Sequence, residues 1–286
     1  MKIIMRNESN PEKEIAILLT VHNRKDKTLS CLRALKVQKL PEHCKIDVFM
    51  TDDGCTDGTP EAVASEFPDV NIIKGDGNLF WNRGMYAAWT EAEKNDFDYY
   101  LWLNDDTFLL DMCINNLLRE SALYNDNAII IGATINSAGD RITYSGWRNN
   151  KIIDSLTNNR EANCFNGNIV LIPQNVFAQL GKNDPYFRHA LGDFDYGLRA
   201  TELGIKNIVC PDICGICDEH ATIPKWMNPV LTLKERWKSL YSVGGNGANP
   251  VEYFYFRKKH YGLFCACMTF LSNHLHVFFP QYWTRD

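Results

Sequence analysis

Apolar runs that end abruptly in polar residues recur along the first hundred residues of the chain. Four such runs cover residues 15–19, 46–50, 70–73 and 99–103. Short, nearly continuous apolar runs predict strands that are buried on both faces. Between them lie segments with apolar residues at helical spacing, such as Leu29, Leu32 and Leu35. Strand and helix alternating in units of about thirty residues predict an α/β fold with a mostly parallel, Rossmann-like sheet flanked by helices.

The alternation weakens beyond residue 107. Residues 129–131 predict another strand, and residues 141–144 and 151–153 predict a hairpin around a turn at 147–150. A helix is predicted to begin near Asp193 and to end at Gly204.

We divide the chain into two parts. Residues 1–225 form the main domain, with a nucleotide-binding half at about 14–107 and a smaller mixed, acceptor-side half at about 108–225. Residues 226–286 form a helical C-terminal extension. The glycine-rich segment 241–247 is interpreted as a loop inside this extension, because too little chain follows it to form a core.

The predicted strands of the first half end in Thr20, Asp52, Gly75 and Asp105. Carboxyl ends of parallel strands meet at one edge of a sheet, where open α/β folds bind ligands. The neighbouring carboxylates Asp105 and Asp106 repel each other unless a cation lies between them, so a hard divalent ion is one interpretation. A turn over 104–106 that caps the next helix is the alternative, and this stretch alone does not separate the two.

Two further polar clusters follow predicted strands. Asp52 can accept the imide N–H of a uracil or thymine ring, or it can be an ordinary turn residue in an acidic, glycine-rich loop. Gly77 and Asn78, with Asn82 and Arg83, can place backbone N–H groups and a guanidinium near phosphate or sugar hydroxyls.

Two acids open the predicted helix near residue 193. Asp193 or Asp195 could take the proton from an attacking hydroxyl, since a carboxylate near a helix N-terminus stays ionised. Helix capping by Asp193 is the alternative interpretation.

Bulk properties limit the partners and the compartment. A net charge of −5 over 286 residues gives no reason to expect nucleic-acid binding. The chain starts without the pattern of a secretory leader, which favours a cytoplasmic location. The apolar segment 263–279 is too short and too polar to span a membrane. Together with the basic residues 257–260 before it, this segment predicts either a helix that lies on a membrane surface or a helix packed on the main domain.

Ten scattered cysteines indicate reduced thiols. Cys214, Cys217 and His220 have a spacing that could bind zinc, but no second pair of ligands is evident, so packing in the core is the competing interpretation.

In order and spacing, these motifs resemble family 2 glycosyltransferases, and within them the bacterial rhamnosyltransferase-like branch that builds surface polysaccharides. The resemblance runs from about Ile15 to His220. It rests on His22-Asn23-Arg24, Asp52-Asp53-Gly54, Thr56-Asp57-Gly58-Thr59, Gly77-Asn78, Asn104-Asp105-Asp106 and Gly192-Asp193-Phe194-Asp195-Tyr196. It implies a GT-A fold, a Mn²⁺ or Mg²⁺ ion, a nucleotide-sugar donor, and inversion at the anomeric carbon by direct displacement.

The resemblance also assigns roles to residues. Asp52 matches the base-binding acid, and Asp106 matches the last acid of the metal motif, with Asp105 in its middle and Asn104 at its first position. Asp193 matches the catalytic base, with Gly192 in place of the preceding acid, and Asp195 is the second candidate. His220 matches a further metal ligand. The donor-binding residues are then expected to be Thr20, His22, Arg24, Asp52, Gly77, Asn78, Asn82, Arg83 and Asp105.

The sequence therefore predicts an inverting glycosyltransferase that takes a UDP- or dTDP-sugar donor and a glycan or glycolipid acceptor. Peripheral membrane contact through the C-terminal part and assembly into a homodimer are left open. A nucleotidyltransferase and a non-catalytic sugar- or nucleotide-binding domain are the alternatives. A nucleotidyltransferase would be expected to carry a basic, glycine-rich loop after the first strand, and residues 22–26 contain no glycine.

Overall fold

Strands and helices alternate through the first part of the chain. The structure, a computed structural model, describes residues 13–219, 224–243 and 249–282. The first elements are β1 (Lys13–Val21), α1 (Lys25–Lys36), β2 (Cys44–Asp52), α2 (Thr59–Glu66), β3 (Asn71–Lys74), α3 (Phe80–Ala92) and β4 (Tyr99–Leu103).

Shorter strands dominate the middle of the chain. They and their helices are β5 (Phe108–Leu109), α4 (Cys113–Leu123), β6 (Ala128–Ile135), β7 (Ile142–Tyr144), β8 (Gly146–Arg148), β9 (Lys151–Ile152), β10 (Glu161–Ala162), β11 (Cys164–Phe165), β12 (Ile169–Pro173), α5 (Gln174–Leu180), α6 (Gly192–Glu202) and β13 (Lys206–Ile216). The C-terminal part is helical, with α7 (Leu233–Leu240), α8 (Pro250–Tyr261) and α9 (Leu263–Phe278) between the 3₁₀ turns Lys225–Met227 and Pro280–Tyr282.

The main sheet has the order β10-β13-β6-β12-β4-β1-β2-β3. Strands β3, β2, β1 and β4 are parallel to one another. Strand β12 runs antiparallel between β4 and β6, and β6 is parallel to β13. The predicted α/β fold with a mostly parallel sheet is confirmed.

Strand β4 lies in the middle of this sheet, and its side chains are buried on both faces. Leu101 and Leu103 join the core layer that contains helices α1 and α4, whereas Tyr100 and Trp102 join the layer that contains α3. The Trp102 ring packs edge-on against Trp89, with ring centroids 5.6 Å apart. Because both faces are covered, the strand holds the polar residues at its carboxyl end on a rigid base.

The predicted hairpin between 141–144 and 151–153 is wrong. Strand β7 pairs with β6, and it is β8 that pairs with β9. Asn149 and Asn150 have φ of 52° and 59°, the left-handed values that a two-residue hairpin turn requires. The first residue of β8 is Gly146, and no larger residue fits there because a Cβ would lie 2.7 Å from the Cβ of Ala162.

Within the described ranges, no helix combines the length and the apolar character that crossing a bilayer requires.

Candidate active site

A cleft of about 860 Å³ opens at the carboxyl ends of β1 and β4. Its floor and walls come from the loops after these strands, the β8–β9 turn, residues 166–168, the start of α6 and one side of α8. The cleft therefore lies where open α/β sheets bind their ligands.

Arg24 bridges the acid pair in this cleft. Its Nη1 lies 3.2 Å from Asp105 Oδ1 and 2.8 Å from Asp106 Oδ2. Asp105 Oδ2 accepts a further hydrogen bond from Thr28 Oγ1 at 3.3 Å. Burial raises the pKa of Asp105 to about 6, although the Arg24 guanidinium acts in the opposite direction. The two carboxylates thus share one positive charge, that of Arg24. Their oxygen atoms are ligands of the kind that a hard divalent cation takes.

Asn104, before the acid pair, is held by a neighbouring aromatic residue. Its Oδ1 accepts a hydrogen bond from Trp81 Nε1 at 2.7 Å, and its backbone N–H donates to the Asn168 carbonyl at 3.0 Å. The Trp81 ring packs on Gly167, where a Cβ would lie 2.5 Å from Trp81 Cη2. Asn104 therefore fixes the edge of the cleft, and its side-chain oxygen points to Trp81.

Asp193 lines the same cleft at the start of α6. Its Oδ2 accepts a hydrogen bond from the Gly167 N–H at 3.0 Å, and its Oδ1 accepts one from the Phe194 N–H at 2.9 Å. Burial raises the pKa of Asp193 to about 6, partly offset by these backbone donors. The carboxylate is thus held in one orientation and has a raised proton affinity, as a general base requires.

Gly192, which replaces an acid of the family motif, is explained by close packing. A Cβ at this position would overlap Asn82 Oδ1. Asn82 is fully buried, so it has no free space into which it could move.

Asp195 lies outside the cleft lining and is fully buried. It contacts Arg199 Nε at 2.9 Å, Lys259 Nζ at 2.7 Å and His260 Nε2 at 2.9 Å. Burial raises the pKa of Asp195, but the hydrogen bonds from His260 and Lys259 and the charge of Arg199 outweigh it, so the net shift is downward. Of the two predicted acids, Asp193 therefore faces the cleft, whereas Asp195 joins α6 to α8.

Asp52 and its neighbour Asp53 shape the loops beyond β2. Asp52 Oδ1 accepts a hydrogen bond from the Cys55 N–H at 2.8 Å, which closes a tight turn. Asp53 accepts hydrogen bonds from the N–H groups of Gly77, Leu79 and Phe80 at 2.9, 3.1 and 2.8 Å. Asp53 thus fixes the glycine-rich loop, a role that the sequence analysis missed.

The other predicted donor-binding residues near β1 and β3 lie in or next to the loops that follow these strands. His22 Nδ1 donates to the Asp53 carbonyl at 2.6 Å. Thr20 packs so closely on Gly84 of α3 that a Cβ there would overlap its side chain. Gly77 has a φ of 84°, and the exposed Asn78 follows it. These four residues and Asp52 lie outside the lining of the 860 Å³ cleft.

Asn82 and Arg83 bind the protein's own backbone. Asn82 Nδ2 donates to the carbonyls of Asp184 at 2.8 Å and Phe187 at 2.7 Å, and its Oδ1 accepts from Asn183 at 2.7 Å. Arg83 Nε donates to the Pro185 carbonyl at 2.9 Å. The structure therefore places both residues against the loop that leads into α6, and neither lines the cleft.

The cysteines show no zinc arrangement. Cys214 and Cys217 are buried free thiols, and the predicted ligand His220 lies outside the described residues. Among the residues that the structure describes, no three side chains of His, Cys, Asp or Glu converge on a metal position.

The family model described as "Glycosyl transferase family 2" matches residues 16–183 of this chain. The chain belongs to this family. The match confirms the family and the enzyme class predicted from the motifs, and the rhamnosyltransferase-like branch stays a prediction.

Two solved structures are similar to this glycosyltransferase in fold. The mannosyltransferase PcManGT from Pyrobaculum calidifontis, in complex with GDP-Man and Mn²⁺, has a TM-score of 0.58 and 13% identity over 96% of this chain and 74% of its own. TarS from S. aureus has a TM-score of 0.57 and 12% identity over 93% of this chain and 54% of its own. The glycosyltransferase thus spans about half the length of TarS. No curated protein sequence matches it significantly.

Several groups in the cleft of the glycosyltransferase were missed by the sequence analysis. His189 lines the cleft, and burial together with the charge of Arg24 lowers its pKa. Phe256 and Tyr261 of α8 were also missed, and together with Tyr253, an aromatic residue that the sequence did suggest for sugar stacking, they form an aromatic wall. The proximity of His189 to Asp193 in the sequence was the only available signal, whereas α8 is brought here by contacts with distant parts of the chain.

Proposed function

We propose that this enzyme transfers a sugar from a UDP- or dTDP-sugar to a hydroxyl of a glycan or glycolipid acceptor, with inversion, in the cytoplasmic synthesis of a bacterial surface polysaccharide. We also propose the division at residue 225 that the sequence predicts, with α8 of the extension contributing to the acceptor side of the cleft. The observation that carries the proposal is Asp193, a fixed and partly buried carboxylate in the same cleft as Asp105 and Asp106.

Asp193 acts as the general base. It takes the proton of the acceptor hydroxyl as the acceptor oxygen attacks the anomeric carbon of the donor. The bond from that carbon to the β-phosphate oxygen breaks, and its electron pair leaves with the nucleoside diphosphate. With a pKa raised to about 6, Asp193 is ionised at neutral pH yet binds a proton more strongly than an exposed aspartate does.

The opposite side of the cleft binds the leaving group. Asp105 and Asp106 would hold a Mn²⁺ or Mg²⁺ ion, with His220 as a proposed further ligand, and such an ion neutralises the charge of the diphosphate as it departs. Arg24 lies at the same place and offers its guanidinium to phosphate oxygens. Mn²⁺ and GDP-Man in PcManGT, which has a similar fold, support this arrangement. Asp52 accepts the imide N–H of the nucleotide base.

Asp193→Asn tests the reaction, with released nucleoside diphosphate measured over a panel of nucleotide sugars and glycan acceptors. We expect turnover to fall by at least about a hundredfold, the usual contribution of a general base, while affinity for the donor nucleotide changes little. Asp69→Asn, at an exposed position, is the matched control. Unchanged turnover in the Asp193 variant would refute the role of the base.

Calorimetric titration with UDP, dTDP and GDP tests the donor. We expect UDP or dTDP to bind more tightly than GDP. Asp52→Asn should weaken that binding, because it replaces one acceptor oxygen with an NH2 group, which is a donor and cannot accept the imide N–H. Preference for GDP would contradict the proposed donor class.

A further inference from the structure

Helix α9 has an exposed face made of large apolar side chains. Phe264 is 80% exposed, and the exposed fractions of four more lie between 48 and 58%: Met268, Leu271, Leu275 and Phe278. Their positions follow one another at intervals of four, three, four and three residues, so they form one stripe along the helix. Ala266 and Val277 are buried on the opposite side. Among the described residues, no segment covers this stripe.

Helix α7 extends the same surface. The Trp237 ring contacts His274 and Phe278 of α9, with ring centroids 5.3 and 5.8 Å apart. Trp237 and Tyr241 remain partly exposed, and the exposed Lys234 and Lys238 lie on the same side of α7 as these aromatic residues. Indole and phenol rings beside lysines are typical of surfaces that meet lipid headgroups, because each ring has an apolar body and a polar group.

Charge is distributed unequally between the two parts of the chain. Residues 226–286 contain seven lysines and arginines and three acidic residues, a formal charge of +4, whereas the whole chain carries −5. The main domain is therefore strongly acidic and the extension basic. A basic part with an apolar helix face is attracted to a negatively charged membrane, and the acidic domain is directed away from it.

We propose that the outer face of α7 and α9 docks on the surface of a bilayer that contains anionic lipids, with the apolar stripe of α9 inserted at the headgroup boundary. Pairing of two copies through α9 is disfavoured, because it would bring two extensions of charge +4 together along a helix only 16 residues, or about 24 Å, in length.

Docking places the cleft near the membrane, because α8 packs on α9 and also supplies the aromatic wall of the cleft. A lipid-linked acceptor could then reach Asp193 without leaving the bilayer. This consequence rests on the proposed function, whereas the docking itself does not.

Co-sedimentation of the full chain with vesicles tests the docking. We expect binding to phosphatidylcholine vesicles that contain 30% phosphatidylglycerol, and much weaker binding to pure phosphatidylcholine vesicles or at high salt. Leu271→Gln with Leu275→Gln should lower the partition coefficient by roughly tenfold or more, because two apolar side chains leave the interface. Lys234→Gln with Lys238→Gln should lower the partition coefficient by roughly fivefold per lysine, and only on the anionic vesicles.

Leu123→Gln with Leu156→Gln is the matched control, since both leucines are more than two-thirds exposed but lie outside the extension. Thermal unfolding in solution verifies that each variant is folded. Equal vesicle binding by the two leucine pairs would overturn the proposal. A second outcome would also overturn it: the unmodified chain does not bind vesicles but forms a dimer in sedimentation velocity, and Leu271→Gln with Leu275→Gln dissociates that dimer. Calorimetric nucleotide binding in the absence of lipid tests the catalytic cleft separately.

Discussion

Replacing the proposed base with its neutral analogue should make the protein more stable. Asp193→Asn removes a carboxylate whose pKa is raised from 3.8 to about 6. A rise of this size corresponds to roughly 3 kcal/mol of unfavourable free energy when the group is ionised in the folded state. The amide retains one acceptor oxygen for the N–H groups of Gly167 and Phe194, and losing one of these two hydrogen bonds costs about 1 kcal/mol. A net gain of about 2 kcal/mol in the free energy of unfolding is expected at pH 8.

The pH dependence of this gain has a definite sign. Because the pKa of Asp193 is higher in the folded than in the unfolded chain, the folded state of the parent loses stability as pH rises from about 4 to about 6. The amide that replaces the carboxylate does not titrate, so the advantage of the variant should be largest above pH 6 and should vanish near pH 4.

Urea unfolding of parent and variant at pH 4, 6 and 8, with the midpoint and the slope fitted separately, measures this effect. Two results would refute the view that burial of the ionised Asp193 destabilises the folded protein. One is a variant that is less stable than the parent at pH 8, and the other is a difference in stability that does not change with pH.

Three further predictions concern the surroundings of this residue. Asp195→Asn, the same change two positions along α6, should instead lower the free energy of unfolding by about 3 kcal/mol at pH 7, because Arg199, Lys259 and His260 lose their shared carboxylate. Urea unfolding measures this loss, and a value below about 1 kcal/mol would contradict the ion-pair role. Gly192→Ala should cost about 2 kcal/mol although alanine normally stabilises a helix, because its methyl group overlaps Asn82 Oδ1, and a stabilised variant in thermal unfolding would exclude this clash. Chelation with EDTA should weaken UDP or dTDP binding in calorimetry if Asp105 and Asp106 hold a metal ion, whereas equal affinity with and without the chelator would argue against that site.

The main sheet and the polar edge could be predicted because both depend on local pattern. A buried strand is a short apolar run, and its end is the residue at which the run stops, so β4 and the acids after it can be recognised from neighbouring residues alone. The hairpin was mispredicted although its signal was also local. Asn149 and Asn150 are the turn, and including Trp147 in it moved the pairing to the wrong strand.

The roles of individual polar residues were harder to predict, because they depend on contacts between distant positions. Asn82 follows a glycine-rich segment, which suggested ligand binding, yet its partners are around residue 185. Asp195 stands two positions after Asp193 in sequence, but its partners Lys259 and His260 come from the C-terminal extension. Neither pairing leaves a trace in local spacing, so the choice between the two acids required the fold.

Asn104 shows how the two sides of the cleft are coupled. In sequence it stands at the first position of the metal motif, but its side-chain oxygen accepts a hydrogen bond from Trp81. Trp81 packs on Gly167, whose N–H donates to Asp193, so the acid pair and the proposed base are joined through one tryptophan. An aspartate at position 104 could still accept from Trp81, but it would add a third negative charge beside Asp105, whose pKa burial already raises to about 6. The neutral asparagine therefore keeps the contact with Trp81 and adds no charge beside the two carboxylates that Arg24 bridges, which are the proposed cation ligands.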